Sequence, residues 1–242
     1  MIFMQNFLVI LFLFSVGSFF GWILELLFRR FLSKNNPERK WINPGFLVGP
    51  CLPLYGFSLI VLYLLSKIDL WFIENPIVKQ ISLFVVMSIC ITFLEFIAGL
   101  IFIKGMKIKL WDYSDCFGNI KGIICPQFSF YWIVLSALYY FLINPRIISW
   151  VFWFTNHLAF SFFTGVYYGI LIIDIIYSFQ LVSKVKKFAK ENQMIIIMEK
   201  FKQNIRKINE EQKQKIHFLF SLRSDKENLT ELLKKYLERF KK

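Results

Sequence analysis

The chain has 242 residues, of which 57% are hydrophobic and 19% aromatic, and it carries a formal net charge of +13. A soluble domain is usually about 45–50% apolar, and the apolar runs here reach the ~20 residues that a helix needs to cross a bilayer, so a soluble globular class is excluded. Two His and four Cys without CxxC or His/Cys metal spacing argue against a disulfide framework and against a zinc site.

Five apolar runs predict an all-α, polytopic membrane helical bundle with about five transmembrane helices. They cover residues 7–28, 55–65 (with an extension to 72), 77–103, 128–143 and 150–177. The first run lacks a basic start and a small-residue cleavage site, so it is predicted to be a retained span. The last run is either one tilted helix or a short interfacial helix around "SWVFWFTNH" followed by a span.

The basic residues are distributed unevenly between the connections. Residues 29–54 hold five Lys and Arg, residues 104–127 hold four, and the tail from 181 holds 17, which leaves three for the other two connections. The positive-inside rule therefore predicts a multi-pass protein of the cell membrane with the N-terminus outside and the C-terminus cytoplasmic. This topology accounts for the net charge without a nucleic-acid partner.

Two segments have small residues at the spacing that lets helices approach closely, "GSFFG" at residues 17–21 and "GVYYG" at residues 165–169. Such patterns place small side chains at helix interfaces in membranes. We expect both to serve packing within the bundle, with a seam between two copies of the chain as the alternative.

The connections after the first and third spans resemble one another. Each follows a span with an acid, Glu25 or Glu95, and has a Trp 16 residues later, Trp41 or Trp111. "WINPGFLVGPCLP" then parallels "WDYSDCFGNIKGIICP". The sequence thus predicts a transmembrane domain, 1–180, with two parallel helix-loop-helix repeats at about 7–72 and 77–143 plus a fifth span. Chance similarity is the alternative.

Gly and Pro break helices in both loops, yet the first loop is too apolar to be solvated. Irregular backbone at a membrane edge must be buried in protein or line a wet cavity. We therefore expect both loops to fold into the cytoplasmic mouth of the bundle; a tight structural loop is the alternative. The loop motif comprises Gly45, Phe46, Gly49, Pro50, Pro53, Tyr55 and Gly56.

Each odd-numbered span carries an acid in its inner half: Glu25, Glu95 and Asp174. A carboxylate inside a membrane is costly, and it is by default a functional hypothesis. Glu25 has Arg29 four residues later as a structural partner. We predict a polar cluster at the cytoplasmic mouth. It joins the three acids to residues of the second loop: Trp111, Asp112, Tyr113, Ser114 and Asn119.

The remaining segment, residues 181–242, is predicted to be a basic, cytoplasmic, amphipathic helical tail. Ser224 and Glu227 form a predicted capping box before its last helix. Its basic excess favours anionic lipid or an acidic partner, with a self-associating coiled coil or solvated helices as alternatives. Apolar residues at helical spacing mark that helix: Leu229, Leu232, Leu233, Tyr236, Leu237 and Phe240.

"FFGWILELLF" followed by "NPGFLVGPCLPLYGF", and "TFLEFIAGLIF" followed by "KLWDYSDCFGNIKGIIC", resemble the bacterial ABC-transporter type IV permease family over residues 12–145. The resemblance implies a small polytopic inner-membrane protein, a transport permease of unassigned substrate. The chain departs from the family pattern at several positions. The family has Arg at the positions of Pro44 and Ile123. A Pro-Phe-Asn run of the family is replaced by Phe117, Gly118 and Asn119, and an acid is replaced by Gln127.

The sequence contains no GxxxxGK[ST] phosphate loop, so a permease of this kind needs a separately encoded ATPase. That ATPase is expected to dock on loops 29–54 and 104–127 and on the tail. Few spans per chain imply a homo-oligomer. The alternative is a non-transport membrane protein, an enzyme on a lipid-linked substrate or an assembly factor. Without a nucleotide, metal or nucleophile–base motif, we expect neither catalysis by this chain nor a cofactor.

Overall fold

The computed structural model describes residues 2–33 and 36–241. The prediction of an all-α helical bundle is confirmed. A π-type turn at Tyr139–Ile143 joins α4 to α5, and a 3-10 turn at Leu158–Phe160 precedes α6. The helices are α1 Ile2–Phe31, α2 Pro53–Ser66, α3 Pro76–Met106, α4 Pro126–Leu138, α5 Asn144–Asn156, α6 Ser161–Glu191, α7 Met198–Glu211 and α8 Leu229–Lys241; the strands are β1 Ile108–Lys109 and β2 Ile196–Ile197.

Four helical stretches in the described chain are long and apolar enough to cross a bilayer: Phe3–Phe31, Pro76–Met106, Pro126–Asn156 and Leu158–Glu191. The chain is therefore a multi-pass membrane protein. The second predicted span is the 14-residue helix α2, which at about 1.5 Å per residue is shorter than the ~30 Å hydrocarbon core. α2, α3 and α4 all begin at proline, whose fixed φ and missing N–H suit the first helical position.

The predicted boundary between the fourth and fifth spans is wrong. Residues 144–149, predicted as a connection, are helical, and the break lies at His157 instead. Pro145 does not interrupt the helix because the preceding π-type turn shifts the hydrogen-bond register, with Asn144 N donating to Tyr139 O. Of the two alternatives for the last run, the structure has a short helix around "SWVFWFTNH" followed by the separate span α6. The short helix is continuous with the fourth helical stretch, Pro126–Asn156.

The chain packs as two compact units. The first comprises Met1–Phe20, Pro53–Ala98 and Tyr113–Gly169, and the second Gly21–Leu52, Gly99–Asp112 and Ile170–Lys242. α6 crosses the predicted domain boundary at residue 180 without interruption. The division into a membrane domain and a tail, and the repeat within it, stay predictions.

In the first unit, α1 and α2 pack at close range through glycine. A Cβ on Gly17 would lie 2.8 Å from Tyr55 O, and one on Gly56 would lie 2.9 Å from Phe14 O. The prediction that "GSFFG" serves packing within the bundle is confirmed at Gly17. For "GVYYG" that prediction is wrong, because a Cβ on Gly165 or Gly169 meets nothing of the described chain within 4 Å.

In the second unit, the tail folds onto the ends of the long helices. β1 pairs with β2 in parallel, with Ile108 opposite Ile196. The apolar residues of α7 and the predicted stripe of α8 point into the core of this unit; the side chain of Phe240 lies outside the described residues. That core contains Ile108, Val182, Val185, Phe188, Met198, Phe201, Ile205, Ile208, Leu232, Leu233 and Tyr236.

The start of α8 differs from the predicted capping box. Asn228 Oδ1 accepts a hydrogen bond from Glu231 N (3.0 Å), and Glu231 Oε2 accepts one from Asn228 N (3.3 Å). Asn and Glu at this spacing form the same reciprocal cap, four residues later than predicted. Ser224 Oγ instead donates to Gln214 Oε1, and Glu227 pairs with Lys235.

Candidate functional site

We define the motif loop as residues 43–50 ("NPGFLVGP"), a segment of irregular backbone in the second unit. The carboxylate of Asp174 on α6 accepts hydrogen bonds from backbone amides of this loop. Asp174 Oδ1 accepts a hydrogen bond from Val48 N (2.9 Å), and Oδ2 accepts one from Gly49 N (2.8 Å). Ser178 Oγ donates to Oδ1 at 2.9 Å. Backbone amides of an irregular loop need hydrogen-bond partners, and the carboxylate of Asp174 on α6 supplies them here. Gly49 lacks a side chain where a Cβ would lie 2.9 Å from Asp174 Oδ2.

Asn43 organises the motif loop from within, and its side chain is fully buried. Its Nδ2 donates to the carbonyl oxygens of Leu47 (3.2 Å), Val48 (2.8 Å) and Leu219 (3.3 Å). Its Oδ1 accepts a hydrogen bond from Trp22 Nε1 at 2.7 Å. One amide therefore ties the loop to itself, to α1 and to the segment between α7 and α8.

Lys202 of α7 reaches the same loop from the tail. Its ammonium donates to Asn43 O (2.9 Å) and Gly45 O (2.7 Å), and the residue is 5% exposed. Gly45 adopts a φ of +72°, a conformation that favours glycine. These two carbonyls flank Pro44, the residue that stands where the family resemblance implies an arginine.

Arg29 lies between two carboxylates beside this loop. Its Nε is 2.8 Å from Glu25 Oε1, and its Nη1 is 3.3 Å from Glu199 Oε2. The predicted pairing of Glu25 with Arg29 is confirmed. Arg29 and Glu199 are both buried, and breaking such a pair leaves a buried charge uncompensated.

Burial lowers the pKa of Lys202 to about 7 from its usual 10.5, and Arg29 lowers it further while Glu199 raises it. Between these values the unfolded chain holds a proton that the folded chain releases, so stability rises with pH. We expect the free energy of unfolding to increase by about 2 kcal/mol between pH 7 and pH 9 through this group.

The measurement is equilibrium unfolding in mixed micelles at both pH values. Lys202→Met should lose this component of the pH dependence, whereas Lys200→Met, at an exposed neighbouring position, should retain it. Equal pH dependence in all three proteins would contradict the assignment to Lys202.

In the first unit, Glu95 is buried and accepts a hydrogen bond from Tyr113 Oη at 3.3 Å. Tyr113 stacks on Phe128 with ring centroids 3.9 Å apart. The phenol thus joins the acid of α3 to the start of the second loop and to α4. Of the three predicted acids, Glu25 and Asp174 belong to the second unit and Glu95 to the first.

Asn119 organises the second loop much as Asn43 organises the first. Its Nδ2 donates to Ser114 O (3.0 Å) and Cys116 O (2.9 Å), and its Oδ1 accepts from Gly122 N (3.0 Å). Gly118 and Gly122 supply positive φ angles on either side. The segment 113–125 is therefore a compact turn structure in which a single amide satisfies three backbone groups.

The other predicted site residues are divided between the two units. Asp112, one residue after the half-buried Trp111, pairs with Lys109 at 2.8 Å in the second unit. Phe46 packs against Phe102 and Phe179 there. In the first unit, Pro53 opens α2, and Tyr55 packs against Trp132 with centroids 5.2 Å apart. Pro50 follows Gly49 where the motif loop ends.

Four residues that hold the motif loop were not predicted from the sequence: Asn43, Lys202, Trp22 and Ser178. Asn43 had a local signal, since Asn before Pro-Gly is typical of a turn. Lys202 had a weaker one, because it follows Phe201 beside the apolar stripe of α7, where a charged side chain is out of place. Trp22 and Ser178 lie within apolar spans and carry no signal beyond being able to form hydrogen bonds.

Comparison with known proteins gives a family but no individual relative. No curated protein and no solved structure matches the chain significantly. The family described as "Putative ABC-transporter type IV" matches residues 12–179, which include the motif loop, Glu95, the second loop and Asp174 and exclude α7 and α8. Because the match covers more than half of the sequence and the motifs that carry the resemblance, the chain belongs to the putative ABC-transporter type IV family.

Proposed function

We propose that this chain is the membrane permease subunit of an ABC-type transporter that works with an ATPase on another polypeptide. The observation that carries the proposal is the family match over the helices and both loops. The sequence lacks a phosphate-binding GxxxxGK[ST] motif, so nucleotide hydrolysis would require a partner. A homo-oligomer would supply the further helices that a transport pathway needs.

The second unit offers a docking surface for such a partner. Its tail helices bury their apolar faces in their own core, so the charged faces of α7 and α8 point outward. Exposed cations on these faces include Lys200, Lys207 and Lys234. A folded, basic platform of this kind suits contact with an acidic protein surface, because complementary charge favours association.

Co-purification tests the proposal. The tagged chain, extracted from its native membrane in mild detergent, should retain an ATPase identifiable by mass spectrometry. Charge reversal of Lys200, Lys207 and Lys234 to Glu should lower its recovery at least ~10-fold, since rim charges govern association. Reversal of Lys67 and Arg146, in the first unit, should not. A monodisperse protein that carries lipid and no ATPase would favour the non-transport alternative.

The distribution of cations between the two units supports the proposed orientation. Of the 29 Lys and Arg residues, 25 lie in the segments of the second unit, leaving Lys67, Lys79, Lys121 and Arg146 to the first unit. The segments of the second unit include the carboxyl-terminal parts of α1, α3 and α6. We infer that this unit is cytoplasmic and that the N-terminus is outside.

Reporter fusions test this orientation. A fluorescent protein that folds only in the cytoplasm, fused after residue 242, should fluoresce. Alkaline phosphatase, which needs an oxidising compartment, should be active when fused after residue 70 and inactive at the C-terminus. The reverse pattern would overturn the orientation.

A further inference from the structure

The segment between α7 and α8 forms a closed loop with an apolar tip. We define the tip loop as residues 215–223, "KIHFLFSLR". Hydrogen bonds close its neck: Ser224 Oγ and Asp225 N both donate to Gln214 Oε1, and His217 Nε2 lies 2.9 Å from Asp225 Oδ1. Leu222 anchors one side in the core of the second unit. The neck and anchor fix the direction in which the tip points.

Three large apolar side chains at this tip remain outside the core. Ile216, Leu219 and Phe220 are 40%, 38% and 40% exposed. Connecting segments on a water-facing surface are usually polar, and clustered exposed apolar side chains mark an interaction site. The tip loop therefore has the composition of a surface that another molecule covers.

Ring contacts place the tip loop beside the spanning helices. Phe218 packs edge-on against Trp22 of α1 (6.2 Å between centroids), and Phe220 packs against Tyr177 of α6 (5.8 Å). Trp22 and Tyr177 each lie seven residues before the first basic residue at the carboxyl-terminal part of their helix, Arg29 and Lys184. Seven residues correspond to about 10 Å, and Trp and Tyr at that distance from a basic helix end are typical of the membrane interface.

The surface around these contacts continues onto the lipid-facing sides of the same helices. Leu24 of α1 is 48% exposed and Ile173 of α6 is 70% exposed. Along the chain, exposed cations flank the apolar residues of the tip; these are Lys213, Lys215, Arg223 and Lys226. Apolar side chains bordered by cations match the acyl chains and anionic headgroups of a bilayer.

We propose that the tip loop inserts into the bilayer leaflet on the basic side of the membrane, so that Ile216, Leu219 and Phe220 contact acyl chains and the flanking cations contact anionic headgroups. The tail would then be attached to the membrane in two ways, by its covalent link to α6 and by the inserted tip loop. The inference is independent of whether the protein transports anything.

Site-specific photo-crosslinking in nanodiscs of phosphatidylethanolamine and phosphatidylglycerol tests the inserted tip. Full-length chains would carry p-benzoylphenylalanine at Leu219 or, as a conservative aromatic replacement, at Phe220. Mass spectrometry should find lipid adducts at both positions at least ~10-fold above those at Glu238, an exposed position of α8. A chain with the label at Ile173 is the positive control.

Two outcomes would overturn the insertion. One is a level of lipid adducts at Leu219 and Phe220 equal to that at Glu238 while Ile173 labels strongly. The other is cross-linking of the tip to a second polypeptide in place of lipid. The headgroup contact has its own readout, since adducts at Leu219 should be enriched in phosphatidylglycerol over the bulk composition. Lys213, Lys215, Arg223 and Lys226 changed to Gln should remove this enrichment; unchanged enrichment would refute it.

Discussion

Replacement of Asn43 with alanine is expected to lower the free energy of unfolding by about 3–5 kcal/mol. The side chain is fully buried and connects three carbonyl oxygens and Trp22 Nε1. Removal leaves those groups without this partner around a fully buried position, and each such loss costs about 1 kcal/mol or more. No other substitution of a single uncharged side chain is expected to disturb the motif loop as strongly.

Equilibrium unfolding in mixed micelles, followed by tryptophan fluorescence, measures this loss. Asn156→Ala is the matched control, because Asn156 is exposed and its Nδ2 donates to Phe152 O within its own helix; its cost should stay within about 0.5 kcal/mol. Trp22→Phe removes one of the four bonds and should cost about 1 kcal/mol. A cost below about 1 kcal/mol for Asn43→Ala would refute its organising role.

Replacement of Asp174 with alanine is expected to cost about 3 kcal/mol. Its two oxygens accept hydrogen bonds from Val48 N and Gly49 N, and hydrogen bonds to a charged group are worth about twice as much as neutral ones. Asp174→Asn should recover only part of the loss, because the amide offers one acceptor oxygen and turns an N–H toward the other donor. Ser178→Ala should cost about 1 kcal/mol.

Unfolding measurements and limited proteolysis of residues 43–50 follow the consequence, since a loop without its carboxylate should become cleavable. Gly49→Ala probes the same contact from the other side, because its Cβ would lie 2.9 Å from Asp174 Oδ2. Gly165→Ala in α6 is the matched control. Apart from the backbone of its own helix, the added Cβ meets no described atom within 4 Å, so the substitution should stabilise the helix by about 0.5–1 kcal/mol. Equal effects of the two glycine substitutions would contradict the close contact.

The buried polar network in the second unit gives the motif loop one conformation. The Asp174 carboxylate accepts from the amide of Gly49, and Lys202 donates to the carbonyl of Gly45. The Asn43 side chain donates to the carbonyl of Val48. Apolar, Gly- and Pro-rich backbone has many alternative conformations, and polar groups that are all satisfied select one of them. Lys202 comes from outside the family-matched residues, so the tail of this chain stabilises a loop that belongs to the family's shared part.

Much of the architecture was predictable from the sequence because membranes restrict the choices. Spans must be apolar helices about 20 residues long, and cations collect on one side, so the all-α bundle and the membrane class follow from composition and spacing alone. The family followed from the two loop motifs and is confirmed by the match. The pairing of Glu25 with Arg29 followed from their spacing of four residues.

Tertiary structure decided what one-dimensional patterns leave open. Residues 144–149 were predicted as a connection, but a π-type turn carries the helix through them to Asn156. The spacing of apolar residues in the tail predicted amphipathic helices but not what their apolar faces contact, and these faces form the core of the second unit. Asp174 and Lys202 meet the motif loop from positions more than 120 residues away in sequence. Spacing along a chain reports local structure, whereas which buried donor meets which acceptor depends on how distant segments pack, and only the folded chain determines that.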